Sequence, residues 1–134
     1  MAEAENVACV QQTYAAFGQG DIATFLNNLA ADIVWESRYI PGIPLNGTYS
    51  GKDQVLSFFG QLGESLDIHE FVPQQFLAKD DIVVVLGYEQ VTAKSTGKAY
   101  KNEWVHVWTL KDGKVAHVQS SNNVAVAAAA FEKA

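Results

Sequence analysis

Three stretches in the first half of the chain carry apolar residues at the spacing of an amphipathic α-helix. The first spans residues 6–17, the second begins after Asp21, and the third begins after Ser50. Asp21 is a favourable N-cap for the second helix, and Ser50 with Asp53 resembles a capping box for the third. The apolar positions are Val7, Val10, Tyr14 and Phe17 in the first helix, Ile22, Phe25, Leu26 and Leu29 in the second, and Val55, Phe58, Phe59 and Leu62, predicted to face inward, in the third.

Alternation of apolar and polar residues with a period of two indicates β-strands elsewhere in the chain. A short strand is predicted over residues 32–38, between the second and third helices. After the third helix, strands are predicted over residues 65–77, 82–94, 99–111 and 115–121. Pro73 interrupts the first of these four, which favours an edge strand or a bulge. Asn122 or Asn123 can cap an alanine-rich helix that ends at Phe131.

This order of elements predicts an α+β architecture. Three N-terminal helices would pack on the concave face of a curved antiparallel sheet, giving a cone that encloses a pocket, and a short helix would end the chain. Residues 39–51 contain two prolines and three glycines and are predicted to form a loop. A chain of 134 residues suffices for one domain with a real core, so we expect residues 1–134 to form a single domain.

The strand that precedes the Asp112–Gly113 turn places two indoles and one imidazole on the same face. Trp104, His106 and Trp108 are spaced two residues apart, and side chains with this spacing share a face of a strand. Trp35 is predicted to point inward from the first strand. An aromatic wall around one titratable group is typical of a pocket for a small hydrophobic molecule, which is therefore the expected partner.

Glu89 is the expected neighbour of His106 on the next strand. If the hairpin over residues 95–98 is tight, Glu89 lies opposite Trp104 and diagonal to His106, and Gly87 lies opposite His106. The carboxylate would raise the pKa of the imidazole and burial would lower it, which gives a group that can titrate near neutrality. His106 and Glu89 are therefore the predicted catalytic pair, for acid/base chemistry or for holding an oxyanion. The alternative is that the two side chains only satisfy each other in a hydrated cavity.

The return strand after Gly113 has two possible registers. A two-residue turn would direct His117 and Gln119 inward. A type I turn with a bulge at Gly113 would direct the alternate residues inward, and we favour this register because it keeps His117 out of the core. The alternate residues are Val118, Ser120 and Asn122. His69 and His117 are then exposed to solvent, and no pair of histidines has the spacing of metal ligands, so no metal is expected.

These faces together give a predicted ligand-binding set beside the catalytic pair. The set comprises Tyr14, Trp35, Tyr39, Trp104, Trp108, Val118, Ser120 and Asn122. Tyr14 lies on the inward stripe of the first helix, where its hydroxyl needs a partner if it is buried. The sequence carries neither a glycine-rich phosphate loop after a strand nor a recognisable Ser-His-Asp arrangement, and no cofactor is expected.

Charge and composition narrow the range of partners. The formal net charge is -6 and the nine basic residues are scattered singly, which argues against nucleic acid or an anionic membrane as a partner. The single cysteine, Cys9, excludes an intrachain disulfide. No signal-peptide pattern opens the chain and no apolar run is long enough to span a bilayer, so we expect a cytoplasmic protein.

The opposite face of the central strands is also apolar. Leu86, Tyr88, Val105 and Val107 lie on it, and no other part of the sequence is left to cover them. Because an apolar outer face of a small domain is usually covered, we predict a homodimer in which two sheets pack face to face.

Several short segments of the chain carry a family resemblance. They are residues 19–21 after the first helix, 31–35 in the first strand, 47–51 before the third helix, and 104–108 with 112–115 around the second hairpin. Together they resemble the SnoaL-like branch of the nuclear transport factor two-like superfamily, which includes ketosteroid isomerase, polyketide cyclases and limonene epoxide hydrolase. The resemblance covers nearly the whole chain and implies the cone-shaped fold rather than one activity, because unrelated chemistries share this fold.

The resemblance also implies where this chain departs from a ketosteroid isomerase. Ser37 stands where the isomerase has its aspartate base. Thr13 stands where it has an oxyanion-binding tyrosine, with Tyr14 one residue later, and His106 falls at the second oxyanion-binding position. These departures argue against steroid isomerisation by that mechanism.

Polyketide cyclases of the family are more similar around His106. They use a histidine and an aspartate on neighbouring strands, but here Ser120 occupies the place of the aspartate. Asn123 replaces an aspartate that often precedes the last helix. We therefore predict a cofactor-free isomerase or cyclase, with hydrolysis less favoured, that acts through His106 and Glu89. The alternatives are a non-catalytic ligand-binding module and an interaction dimer.

Overall fold

The chain folds into four helices and six strands over the residues that the structure describes. The structure is a computed structural model, and it describes residues 3–38 and 45–132. The elements are α1 (Glu3–Gln19), α2 (Ile22–Asn27), β1 (Leu29–Arg38), β2 (Gly47–Ser50), α3 (Lys52–Ser65), β3 (Leu66–Lys79), β4 (Ile82–Ala93), β5 (Ala99–Lys111), β6 (Lys114–Ser121) and α4 (Val124–Phe131). Every predicted helix and strand is present. β2 is an additional short strand within the segment predicted to be a loop.

The six strands form one curved sheet that does not close into a barrel. Their order across the sheet is β2-β1-β6-β5-β4-β3. Neighbouring strands are antiparallel except β1 and β6, which are parallel. These two strands are far apart in sequence, so no tight hairpin constrains their direction. The structure confirms the predicted α+β fold and adds this one parallel pair.

The ends of two helices test the predicted caps. The carboxylate of Asp21 accepts a hydrogen bond from the backbone N–H of Thr24 at 3.1 Å, which confirms Asp21 as the N-cap of α2. The predicted capping box of Ser50 and Asp53 is wrong. Gly51 is the N-cap of α3, with a φ of 83° that favours glycine, and Oε1 of Gln54 accepts the backbone N–H of Ser50 at 2.7 Å.

Two further boundaries refine the prediction. α2 ends before Leu29, which begins β1 instead of extending the helix. The side chain of Asn123 accepts a hydrogen bond from the backbone N–H of Val126 at 3.3 Å and so caps α4. Among the described residues, no helix has the length and apolar character needed to cross a membrane.

β3 lies at one edge of the sheet, as the position of Pro73 predicted. The pairing of β3 with β4 also shifts its register twice, once just after Ile68 and once just after Pro73. Proline has no N–H to donate to a neighbouring strand, so an edge strand with irregular pairing accommodates it. The predicted edge position and the predicted bulge are both confirmed.

The loop between β4 and β5 is displaced by one residue from the predicted hairpin. It comprises residues 94–97, and the N–H of Ala93 donates to the carbonyl oxygen of Lys98 at 2.9 Å. The N–H of Gly97 donates back to the carbonyl oxygen of Ala93 at 2.8 Å, and Gly97 has a φ of 76°. A left-handed glycine at the end of the loop therefore closes this hairpin one residue earlier than the sequence pattern suggested.

This displacement changes which residues face each other across the hairpin. The observed pairs are Glu89 with Asn102, Gly87 with Trp104, and Val85 with His106. The predicted pairing is wrong, and Glu89 is not a diagonal neighbour of His106. The two residues are offset by four positions along the strands, which corresponds to about 13 Å. Both still face the concave side, because a shift of two residues in pairing leaves the alternation of faces unchanged.

The connection between β5 and β6 combines the two alternatives considered for it. Asp112 and Gly113 have φ values of 52° and 79°, as in a two-residue turn. The register then shifts at Ala116, which is the extra residue of a bulge in β6. This bulge directs Val118 and Ser120 inward, as predicted, but it lies within the strand and not at Gly113.

Gly87 leaves room for an indole to lie against the sheet. A Cβ atom at this position would overlap the carbonyl oxygen of Val72 and lie 2.6 Å from the ring of Trp104. Trp104 stacks in turn on His106, with ring centroids 4.0 Å apart and planes 12° from parallel. The absent side chain at Gly87 therefore helps to set the position of the imidazole.

The outer face of the sheet keeps some apolar surface exposed. Leu86, Tyr88 and Val107 are half-buried, and Val105 has 37% of its surface exposed. These are the residues predicted to pack against a second copy of the chain, and that packing stays a prediction.

Candidate functional site

A cavity lies between the concave face of the sheet and the helices α1, α2 and α3. It is narrow, with a cavity volume of about 60 Å³. Phenylalanine and tryptophan side chains form most of its wall, as in many sites for small hydrophobic ligands. Neither lysine nor arginine lines it within the part of the chain that the structure describes. Its polar lining residues are Thr13, Tyr14, Ser37, Glu89, His106, Ser120 and Asn122.

Three of these polar side chains form a row across the sheet. Ser37 on β1 pairs with Ser120 on β6, and Ser120 pairs with His106 on β5. All three residues are buried. The row brings two hydroxyls and one imidazole to the floor of the cavity, and it has no carboxylate at the position of Ser37.

His106 is held by a chain of hydrogen bonds that starts at Trp108. Nε1 of Trp108 donates to the hydroxyl of Tyr14 at 3.0 Å, and that hydroxyl lies 2.7 Å from Nδ1 of His106. An indole nitrogen can only donate, so the phenol satisfies both neighbours by donating its single hydrogen to Nδ1. We therefore assign His106 as the tautomer that carries its proton on Nε2.

Burial keeps this imidazole neutral. It lowers the pKa of His106 from 6.5 to about 3. The predicted titration near neutrality is therefore wrong, because desolvation is not offset by a carboxylate at this position. Burial also raises the pKa of Tyr14, which keeps the phenol protonated, and the hydrogen bond from Trp108 opposes part of that rise. A neutral imidazole with an Nε2 proton can donate a hydrogen bond to an oxygen atom in the cavity.

Glu89 belongs to a second network, built from asparagines. Nδ2 of Asn102 donates to Oε2 of Glu89 at 2.7 Å and to Oδ1 of Asn122 at 2.8 Å. Oδ1 of Asn102 accepts the backbone N–H of Asn123 at 2.9 Å, at the start of α4. Asn102 is completely buried, and sequence analysis missed it although it shares the inward face of β5 with Trp104. One amide thus joins the carboxyl group to the last helix.

The environment of Glu89 favours its protonated form more than water does. Burial raises the pKa of Glu89 from 4.5 to about 7, and the hydrogen bond from Asn102 opposes part of that rise. Near neutral pH this carboxyl group exists in both protonation states, so it can give or take a proton. The titratable group that sequence analysis expected in the pocket is therefore Glu89 rather than His106.

The structure separates the predicted ligand-binding residues into three groups. Tyr14, Trp35, Trp108, Ser120 and Asn122 line the cavity. Trp104 and Val118 are buried and lie behind the lining, with Trp104 packed between Phe71 and His106. Tyr39 lies outside the described residues.

The other two histidines are away from the cavity. His69 is exposed, as predicted, and its Nε2 lies 2.7 Å from the hydroxyl of Thr92. His117 is half-buried instead of fully exposed, because its Nε2 lies 2.5 Å from a carboxylate oxygen of Glu36. The described residues contain no group of three or more His, Cys, Asp or Glu side chains that could hold a metal ion.

The fold and the cavity together define a class of protein. A curved, open sheet with helices over its concave face is the fold of nuclear transport factor two-like (NTF2-like) proteins. Residues 10–118 match the family described as the SnoaL-like domain. The chain belongs to this SnoaL-like family. No curated protein matches it in sequence.

Solved structures of similar proteins agree with this assignment. An NTF2-like protein from Burkholderia xenovorans LB400 is 29% identical, with a TM-score of 0.90 over 98% of this chain and 99% of its own. TerC, crystallised with polyporic acid, is 25% identical, with a TM-score of 0.82 over 94% of this chain and 97% of its own. A candidate polyketide cyclase from Xanthomonas campestris pv. campestris is 18% identical, with a TM-score of 0.78 over 98% of this chain and all of its own, and shows a likeness of fold alone.

Proposed function

We propose that the protein binds a small hydrophobic carbonyl compound, cyclic or conjugated, and moves a proton on it without a cofactor. The reaction would be an isomerisation or a cyclisation. The observation that carries the proposal is the pairing of a neutral hydrogen-bond donor, His106, with a buried carboxyl group of raised pKa, Glu89, in one aromatic cavity.

His106 would hold the carbonyl oxygen. In the assigned tautomer, its Nε2–H is the donor that remains once Nδ1 is bound to Tyr14. As a proton leaves the ligand, negative charge grows on the carbonyl oxygen, and a fixed donor in a desolvated cavity stabilises that charge. Because the pKa of the His106 imidazolium is about 3, the imidazole is neutral near pH 7. It would therefore donate a hydrogen bond to the carbonyl oxygen and would not transfer a proton to it.

Glu89 would take the proton from carbon and return it at another position. The ionised carboxylate accepts the proton, the electron pair of the C–H bond moves through the conjugated system to the carbonyl oxygen, and reprotonation at a different carbon completes an isomerisation. Because Glu89 and His106 are about 13 Å apart along the strands, the reacting carbon would lie far from the carbonyl oxygen, at the other end of an extended conjugated system. No electrons are gained or lost, so the reaction needs no oxidant or reductant.

The TerC structure supports a small organic ligand for this fold. TerC was crystallised with polyporic acid, and its similarity extends over almost the whole of both chains. The carbonyl chemistry proposed here depends on this chain's own His106 and Glu89.

The second candidate function is ligand binding without turnover. Ser37 favours it, because the sheet has a hydroxyl where the isomerases of this fold would place a base, and a serine hydroxyl does not accept a proton near neutral pH. The cavity, its aromatic wall and its polar floor would serve the same ligand in either case.

Binding and turnover can be tested in one series. Trp35 and Trp108 line the cavity, so a bound ketone should quench the intrinsic fluorescence in a saturable way. The panel is conjugated cyclic ketones, small steroids, terpenoids and phenols, each also assayed for exchange of carbon-bound hydrogen with deuterated water. In the His106→Ala variant turnover should fall about 10²-fold or more, whereas His69→Ala, which changes an exposed histidine, should have no effect.

The outcomes of this series distinguish the enzyme from the binding protein. Quenching with hydrogen exchange supports the enzyme, and quenching without exchange of any compound supports the binding protein. If circular dichroism shows that His106→Ala is folded and its exchange rate equals that of the parent protein, the role of His106 is rejected. No quenching by any compound would reject both functions.

A further inference from the structure

An apolar groove runs beside the cavity and opens to the surface between α2, α3 and β3. Its walls are Phe17 from α1, residues of α2 and α3, and Ile68 from β3. Five of its lining side chains also line the cavity, among them Phe17, Phe25 and Phe59. The two spaces therefore share a wall of aromatic rings.

The rim of this groove is apolar although it faces solvent. Ile22, Leu56 and Ile68 have 45%, 41% and 36% of their surfaces exposed. They come from α2, α3 and β3, three different elements, yet all three line the same groove. The other large exposed apolar residues among those described are Leu77, Ile82 and Val105, on strands of the sheet. Apolar side chains gathered around one opening mark a binding site more often than scattered ones do.

The polar groups of the cavity do not extend into the groove. Within the described residues, every side chain that lines the groove is apolar, and Gly63 is the remaining member of the lining. His106, Glu89 and the two serines line the cavity only. The combined space is polar at the sheet and apolar from Phe17 outwards, so it matches a molecule with one polar end.

We propose that this groove is a second subsite, which takes the apolar extension of a ligand whose carbonyl end lies against His106. The proposal rests on the proposed function and adds the class of substrate: an amphiphilic ketone with an alkyl chain or planar ring system longer than the cavity. The rings of Phe17 and Phe59 are in contact, with centroids 5.4 Å apart, and separate the cavity from the groove. Both rings are half-buried, and rotation of their side chains would open a passage for the extension.

A chain-length series tests this subsite. The probes are linear methyl ketones of about 4 to 12 carbons, with dissociation constants measured by tryptophan fluorescence and checked by calorimetry. Each methylene that enters an apolar site should tighten binding about two- to fourfold until the groove is filled. A cavity that ends at Phe17 and Phe59 would instead give no gain beyond the shorter probes.

Two variants of α3 locate the effect. Leu56→Glu places a charge at the rim of the groove and should weaken the longest probe about tenfold or more while leaving the shortest unchanged. Ser57→Glu adds the same charge at the next exposed position, which does not line the groove, and should change neither. Ile22→Glu is a second rim variant that approaches the groove from α2 and should reproduce the effect of Leu56→Glu.

The results distinguish this subsite from the function on which it rests. Chain-length dependence that both rim variants abolish supports the groove. Affinity that depends on His106 but is independent of chain length, or equal in Leu56→Glu and Ser57→Glu, would overturn the groove alone. If no linear ketone binds although a cyclic ketone of the first panel does, the groove falls and the proposed function stands; if neither kind of ketone binds, both fall.

Discussion

The hydroxyl of Tyr14 lies 2.7 Å from Nδ1 of His106, although the two residues are 92 positions apart in the sequence. Tyr14 is on α1 and His106 is at the centre of the sheet, and their rings are 15° from parallel. This contact fixes both the orientation of the imidazole and the nitrogen that keeps its proton.

Replacing Tyr14 with Phe should disturb both properties. The variant leaves Nε1 of Trp108 without its acceptor and Nδ1 of His106 without its donor, so we expect a loss of about 1–3 kcal/mol in the free energy of unfolding. Urea denaturation measures this loss. Nitrogen NMR of the imidazole should show the proton on Nε2 in the parent protein and a mixture of tautomers in the variant.

Tyr49→Phe is the matched control. Tyr49 is half-buried on β2, and its hydroxyl has no hydrogen-bond partner among the described residues. This variant should unfold at the same urea concentration as the parent protein. A parent protein whose His106 carries its proton on Nδ1 would contradict the assigned chain of hydrogen bonds.

The raised pKa of Glu89 predicts a specific dependence of stability on pH. Between pH 4.5 and 7 the unfolded chain loses the proton of Glu89 while the folded protein keeps it, so the contribution of this residue to stability decreases as the pH rises. Glu89→Gln removes that contribution. The variant should therefore gain stability relative to the parent protein between pH 4.5 and 7, by up to about 1.4 kcal/mol per pH unit.

The lowered pKa of His106 changes the stability with pH in the opposite direction to Glu89, so both contributions are present in the pH profile of the parent protein. The contribution of His106 increases as the pH rises from 3 to 6.5 and partly hides that of Glu89 in the parent protein. Glu64→Gln, which removes an exposed carboxylate of α3, is the control. Parallel pH profiles for Glu89→Gln and the parent protein would contradict the raised pKa.

Gly87→Ala should destabilise the protein by about 1–3 kcal/mol. The added methyl group meets the backbone of Val72 and the indole of Trp104, and a backbone oxygen in a paired strand cannot move aside cheaply. Gly60→Ala in α3 is the comparison, because nothing lies within 4 Å of its Cβ position and alanine favours a helix. Thermal unfolding of the two variants should shift the midpoint down for Gly87 and leave it unchanged or higher for Gly60.

The apolar outer face predicts a homodimer. Light scattering at micromolar concentration should give twice the chain mass, and Val105→Asp should give the mass of one chain, because a charge in a packed apolar interface is costly. Ser57→Glu adds an acid at an exposed position of α3, away from the outer face of the sheet, and tests whether any added acid separates the subunits. A parent protein that is monomeric would refute the prediction.

Much of the fold could be predicted from the sequence because periodicity reports which face of an element is buried. The stripe of Val7, Val10 and Tyr14 on α1 and the alternation of Trp104, His106 and Trp108 on β5 are signals of this kind. The register of the hairpin between β4 and β5 could not be predicted in this way. It depends on the φ angle of Gly97, which a glycine in a loop permits but does not require.

The partners within the site could be predicted less well, because they join distant parts of the chain. Neither the contact of Tyr14 with His106 nor that of Glu89 with Asn102 follows a sequence spacing. Each depends on how the helices seat on the sheet or on a register of one pair of strands. The sequence pattern therefore identified the face that lines the cavity but assigned His106 the wrong partner.

The hydrogen bond between the side chain of Asn102 and the backbone of Asn123 allows the cavity to be observed from α4. The backbone N–H of Asn123 is bonded to the same side chain that binds Glu89. That amide can exchange its hydrogen for deuterium only when the bond to Asn102 opens. Its exchange rate therefore reports how often Asn102 moves, so an isotope label at the N-cap of the last helix reports an event beside the buried carboxyl group.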